Sequence, residues 1–290
     1  MMFAIALSIV LVILVWWAAT GAILYVDGFE GRARRRALLV APGIAAIALI
    51  VVAIIPAWPP GYGAALAGFG AAMALWGANE MLFLSGAVTG PRRGPQPPGL
   101  SGWRRFRTAA ETLIWHEIML FASLLLIWSI APDGVASVAF QTFAVLFGMR
   151  LSTKLNLHFG VPNTAEEMLP RRLAYLRTYL RRRAMTPLFP ISVTAATIAA
   201  LLLFQAGVLA APTADAAFAG GLVTAVAALG VVEHWFLVLP IRVSALWGWG
   251  LKSHGAAAET PSAHMERKTF RGALAAAGRP ARGSGSARGL

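Results

Sequence analysis

Seven stretches of this chain are apolar and long enough to cross a hydrocarbon core, near 3–26, 37–56, 64–88, 109–131, 135–157, 191–211 and 216–239. A crossing takes about 20 residues at roughly 1.5 Å of rise each. The gaps between the stretches alternate in charge. Arg32, Arg34, Arg35 and Arg36 follow the first, and Arg92, Arg93, Arg104, Arg105 and Arg107 follow the third. Arg150 and Lys154 lie near the end of the fifth, and Arg171, Arg172, Arg177, Arg181, Arg182 and Arg183 come after it. Arg242, Lys252, Arg267, Lys268, Arg271, Arg279, Arg282 and Arg288 follow the seventh, which accounts for all 25 Lys and Arg. The other gaps, "AWPPGYG", "APDG" and "APTAD", hold none. Lys and Arg are retained on the cytoplasmic side, so seven spans segregated in this way put the amino terminus in the periplasm and the carboxyl terminus in the cytoplasm. An even number of spans would break the segregation.

The expected fold is therefore all-α: a polytopic membrane helix bundle in a bacterial inner membrane. A composition 58% hydrophobic and only 13% charged agrees, being far from that of an ordinary soluble domain. The first stretch has no basic n-region and exceeds the roughly 7–15 apolar residues of a signal peptide, which makes it a permanent span. A net charge of +13 would suggest nucleic acid in a soluble protein. Here the basic residues are scattered over juxtamembrane loops facing anionic headgroups, so the expected partner is membrane lipid and not nucleic acid. With no cysteine, disulfides and thiolate chemistry are excluded.

One integral domain is expected over 1–250, followed by a basic tail, 251–290, whose Ala, Gly, Ser and Arg content predicts disorder. His254 and His264 are read as solvated residues of that tail. Small residues, Gly70, Ala74 and Ala78 in the third span and "AGGLVTAVAALG" in the seventh, suit close helix packing within the bundle. The loop 159–190 differs from the others. Thr164 stands three residues before Glu167, the spacing of a capping box. Leu169, Leu173, Leu176 and Leu180 then share one face of a helix expected over 165–183, opposite Arg171, Arg172, Arg177 and Arg181. An oily stripe beside a basic face predicts an interfacial amphipathic helix, serving as a lateral anchor or as a docking surface for a partner.

The spans also carry ionisable and amide side chains: Asn79 and Glu80 in the third, His116 and Glu117 in the fourth, Arg150, Lys154, Asn156 and His158 at or beside the end of the fifth, Glu233 and His234 in the seventh. Counting from the cytoplasmic boundary puts Glu80, His116, Arg150 and Glu233 at one depth of roughly 10 Å. A lone charge at a helix centre costs roughly 2.5–3.5 kcal/mol. Arg150, Lys154 and His158 recur every four residues, so Glu80 is expected to be held by Arg150 or Lys154, with Asn79 and the histidines completing the hydrogen bonds. A metal site is disfavoured because neither a Glu-x-x-His pair nor a His-Glu-x-x-His motif is present. His116 and His234 are the candidate axial ligands for a chlorin magnesium. A proton or ion path is the remaining chemistry such a layer could serve.

Four segments, "NEMLFLSGAVTGPRR", "ETLIWHEIMLF", "RLSTKLNLHFGVPNTAEEMLPRRLAYLRTYLRRRAMTPLFPISV" and "GVVEHWFLVLP", together resemble the photosynthetic complex assembly protein PuhE family of anoxygenic phototrophic bacteria. The likeness covers roughly 3–250 and is most specific over 150–193. It implies a role in assembling the reaction centre and its light-harvesting antenna, in contact with their subunits or with other assembly factors, and in modulating bacteriochlorophyll supply. It implies no enzymatic activity, no catalytic residue and no cofactor beyond transient bacteriochlorophyll. The alternative is a small membrane transporter for a pigment precursor or protons. A membrane enzyme of prenyl chemistry is disfavoured, since the only aspartates are Asp27, Asp133 and Asp215, at span boundaries.

Overall fold

A computed structural model describes residues 1–131 and 137–256. Among them the secondary structure is helical, with one isolated parallel bridge between Val161 and Arg182. The helices are α1 (Met2–Asp27), α2 (Gly31–Ile54), α3 (Tyr62–Leu84), α4 (Gly102–Ala110), α5 (Ile114–Ile130), α6 (Ser137–Phe159), α7 (Leu188–Phe204), α8 (Ala214–Phe236) and a short α9 (Lys252–Ala256). Each of the seven apolar stretches has its own long helix. By length and composition four are apolar enough to cross a membrane: α1, α2 with its 3-10 extension to Ala57, α7 with its extension to Leu209, and α8. The bent pair α4 and α5 makes a fifth if taken as one span.

Packing explains why α3 and α6 are less oily. α3 touches α1, α2, α5, α6 and α8, while α6 touches α3, α5, α7 and α8. A helix surrounded by other helices meets protein on most sides, so small and polar residues replace the large apolar ones that α1, α2 and α7 turn outward. Local signals set the ends. Thr213 accepts a hydrogen bond from the Ala216 N–H and Asp215 sits in the first turn of α8, both favourable at a helix start. Pro187 precedes α7 and Pro190 lies in its first turn, where a missing N–H leaves no bond unmade.

A close backbone approach joins a π-helical turn after α7 (Gln205–Leu209) to α8. A Cβ placed on Gly220 would lie 1.9 Å from the Gly207 oxygen, so only glycine fits there. Gly70, expected to serve such a contact, faces open space, and a methyl group added to it would meet nothing within 4 Å. The seam is carried by the start of α8.

Three expectations are corrected at the end of the bundle that holds the arginines. The predicted α-helix over 165–183 is instead a run of 3-10 turns, Glu166–Met168 and Arg171–Tyr179, entered through Ala165 in the left-handed region at φ 46°. Thr164 makes no capping bond; its hydroxyl accepts from Arg182 at 3.4 Å. Pro170 holds the chain extended before the second run. With three residues per turn, the buried side chains are Leu173, Leu176 and Tyr179 rather than the full leucine stripe. The two leucines pack on Phe83, Leu84 and Leu113 of the bundle, so this face is turned to protein and not to lipid. Second, the fourth apolar stretch does not begin at 109. The chain bends by 65° between α4 and α5, and Ala109 and Ala110 belong to the short arginine-bearing helix. Third, His254 is not solvated tail: α9 brings its Nε2 to 3.0 Å from the Leu24 carbonyl of α1. His264 and the remainder of the expected tail lie outside the described residues.

Substituting Gly220 by Ala is expected to lower stability in detergent by about 1–3 kcal/mol through overpacking, while Gly70→Ala is expected to be near neutral. Thermal unfolding of the two variants side by side measures the difference.

Candidate functional site

The polar groups converge on α6. Arg150 and Lys154 stand one turn apart on a face directed at α3 and α5, whereas Ser152 and Asn156 form a second polar face directed at α8 and α7. Each face has its own chemistry.

On the charged face, Arg150 donates from Nη2 to Glu80 Oε2 of α3 at 3.4 Å, and Lys154 Nζ pairs with Glu117 Oε1 of α5. Lys154 also lies 5.7 Å from the centre of the Phe83 ring. The Glu80 side chain is 7% exposed and that of Arg150 41%, so the carboxylate is the buried member of its pair. Glu117 sits in the first turn of α5, where the free N–H groups of a helix start favour a negative charge. His116, one residue earlier, is wholly buried and stacks on Phe83 with ring centres 4.4 Å apart. Its Nε2 lies 3.7 Å from Glu80 Oε1, outside hydrogen-bond reach, and both ring nitrogens and that oxygen are without a hydrogen-bond partner. An imidazole and a carboxylate so placed can share a proton after a small approach.

On the neutral face, His234 of α8 is engaged at both nitrogens, Nε2 with Ser152 Oγ at 2.8 Å and Nδ1 with the Gly230 carbonyl at 2.7 Å. Asn156 donates to the Ser152 carbonyl and to Ser192 Oγ of α7. Asn79 does the same job on α3, donating to the Leu75 carbonyl and to Ser123 Oγ of α5. Glu233 stands apart from the ion pairs: its Oε1 accepts from Trp16 Nε1 of α1 at 2.6 Å. Direct pairing therefore links α3, α5 and α6, and the third acid is satisfied by an indole.

His116 and His234 do not suit a pigment in this arrangement. An axial ligand needs a free nitrogen lone pair facing room for a flat macrocycle; His116 is sealed under Phe83 and His234 has no nitrogen to spare. Among the described residues no three His, Asp or Glu converge as a metal would require.

His158 ends the basic stripe in a different role. Arg105 of α4, 4% exposed, donates to the His158 carbonyl and to the Tyr179 carbonyl, each at 2.8 Å, and lies 3.0 Å from the His158 ring. The sequence does not set Arg105 apart from the solvated loop arginines, because nothing in "GWRRFRTAA" separates it from its neighbours. Arg172 likewise points inward, donating to the Asp27 carboxylate at 3.0 Å and to the carbonyls of Asp27, Phe29 and Leu84. Arg34 donates to the Ser85 carbonyl at 2.6 Å. Of the other arginines expected on the interfacial face, Arg171 is exposed, Arg177 reaches the Leu169 carbonyl, and the Arg181 backbone joins Leu157 and Val161.

The profile of a family described as "Protein of unknown function (DUF3623)" matches residues 2–258. A Rhodobacter capsulatus protein, described as an uncharacterized 30.4 kDa protein in the puhA 5' region, is 39% identical over 261 residues, covering 86% of this chain and 91% of the relative. No solved structure matches the chain.

Replacing Lys154 by Met strands the Glu117 carboxylate and is expected to cost about 3 kcal/mol; removing both charges by adding Glu117→Leu is expected to recover most of that loss. Unfolding in detergent micelles measures both, and equal losses would deny the pair any weight.

Proposed function

This chain belongs to the family described as "Protein of unknown function (DUF3623)", and from that membership we propose that it is a PuhE-type assembly factor of the bacterial inner membrane. In this reading seven helices, α1, α2, α3, α5, α6, α7 and α8, cross the bilayer, with the amino terminus periplasmic and the arginine-bearing end cytoplasmic. It serves the assembly of the photosynthetic reaction centre and light-harvesting complex by binding their subunits or fellow assembly factors, and it influences bacteriochlorophyll supply without catalysing a reaction.

The observation that carries the reading is the relative placed by its own description in the puhA 5' region, matched along nearly its whole length. The long segment 150–193, which carries the PuhE resemblance, supports it. So does the alternation of the loops, since every arginine of the described residues that caps a helix end lies at one end of the bundle. The polar layer holds helices α3, α5 and α6 in register, which leaves partner contacts to the outward faces. α5 offers such a face in Trp115, Ile118, Phe121, Leu125 and Trp128, all exposed.

Two measurements test the proposal. Because the chain has no cysteine, single thiols report topology cleanly: Pro60→Cys is expected to react with an impermeant maleimide from the periplasm, and Ala184→Cys only after the cells are opened. Membranes from cells lacking the protein are expected to show weakened reaction-centre and antenna absorption, restored by re-expression. Unchanged absorption contradicts the assembly role, and Glu80-dependent proton or precursor flux in liposomes would support the transport reading in its place.

A further inference from the structure

A cavity of about 420 Å³ opens at the arginine-bearing end between the α1–α2 turn, the segment following α3 and the 3-10 segment 170–175. Its size falls within the range of about 300–1,000 Å³ typical of small-molecule sites. Four arginines line it, Arg34, Arg93, Arg171 and Arg172, against two carboxylates, Asp27 and Glu30.

The four arginines divide into two kinds. Arg172 is committed to the helix ends and to Asp27, and Arg34 uses Nε and Nη2 on Ser85. Arg93 and Arg171 are exposed at the mouth and donate to no group among the described residues. Behind them, the hydroxyls of Thr89 and Tyr175 are buried beside each other in the wall, with no hydrogen-bond partner outside the pair. Burial pushes the Tyr175 phenol up from its ordinary value, so it stays a neutral O–H donor. Free guanidinium groups combined with these hydroxyls present donors from several directions, which suits a tetrahedral oxyanion better than a planar carboxylate. In the topology proposed above, this end of the bundle lies at the level of the lipid headgroups.

We propose that this cavity binds a phosphate group, with Arg93 and Arg171 closing over it, the remaining donor of Arg34 beside it, and Thr89 and Tyr175 donating from below. The site is distinct from the polar layer around α6 and needs nothing of the assembly role. An anionic phospholipid headgroup and free phosphate share the required chemistry.

The test is a thermal-shift titration of the full chain in nonionic detergent with three probes: dioctanoyl phosphatidylglycerol, inorganic phosphate, and dioctanoylglycerol, which lacks phosphate. A saturable stabilisation by the phospholipid, absent with dioctanoylglycerol and weakened about tenfold in apparent affinity in R93A/R171A, supports the site. Inorganic phosphate acting alone with the same dependence on the two arginines identifies the free ion as the ligand; action by the phospholipid only identifies the headgroup. Saturable binding that is unchanged in R93A/R171A, or no saturable binding by either phosphate probe, overturns the proposal. Should R93A/R171A fail to fold, Thr89→Val with Tyr175→Phe gives the same reading, because neither hydroxyl bonds to any group outside this pair.

Discussion

A carboxylate at position 80 cannot stay charged among apolar helices without a cation beside it, and the arrangement of the bundle follows from that requirement. Arg150 supplies the cation from α6, one turn before Lys154, which does the same for Glu117 on α5. Two ion pairs from one helix face therefore fix α3 and α5 against α6 in both rotation and height. Sliding α6 by a single turn would bring Lys154 toward the level of Glu80 but strand Glu117. The second polar face of α6, through Ser152 and Asn156, ties the same helix to α8 and α7 with uncharged bonds. A buried salt bridge is weak evidence for stability, yet two in register are a strong device for choosing one packing among many.

The arginines at the other level finish the helices of the bundle. Helices α1, α3, α6 and α8 all end at this side, and each leaves carbonyls with no intrahelical partner. Arg172 bonds the carbonyls ending α1 and α3, Arg34 the turn after α3, and Arg105 the end of α6. Positive charge at a helix C-terminus is also favourable to the macrodipole. Some arginines of this end thus finish the helices, which explains why buried arginines stand among solvated ones. It also explains how a cavity can retain two unengaged guanidinium groups: the structural work is done by Arg172 and Arg34.

How much of this was legible in the sequence depended on the range of the signal. Length and hydropathy located all seven long helices, because each is a continuous local pattern. The spacing of Arg150 and Lys154 announced a shared face and Glu80 as a partner for it, but depth alone matched Glu233 to Arg150 as well as Glu80 and did not single out Glu117 for Lys154. The stripe Leu169, Leu173, Leu176, Leu180 misled, since spacings of four and three fit an α-helix while the chain counted in threes and buried Tyr179 along with Leu173 and Leu176. Pro170 within that stretch was the contrary sign. The Trp16 bond to Glu233 spans 217 positions and had no local trace. Nor could composition distinguish Arg105, buried, from Arg104 and Arg107 on either side of it. The break between α4 and α5 was hidden because Ala109 and Ala110 read as part of the oily stretch, although Glu111 and Thr112 mark where it fails.

Glu80 and Arg150 hold each other across the α3–α6 contact, and on that pairing the register of the bundle rests. Charge exchange tests it most directly: unfolding stability in detergent is compared for Glu80→Arg, Arg150→Glu and the two together. Each single reversal places like charges face to face and is expected to be severely destabilising, and the double exchange is expected to regain a large part of the loss. A double exchange as damaging as the two singles summed would show that the two side chains do not interact, and the register of the bundle would need another cause.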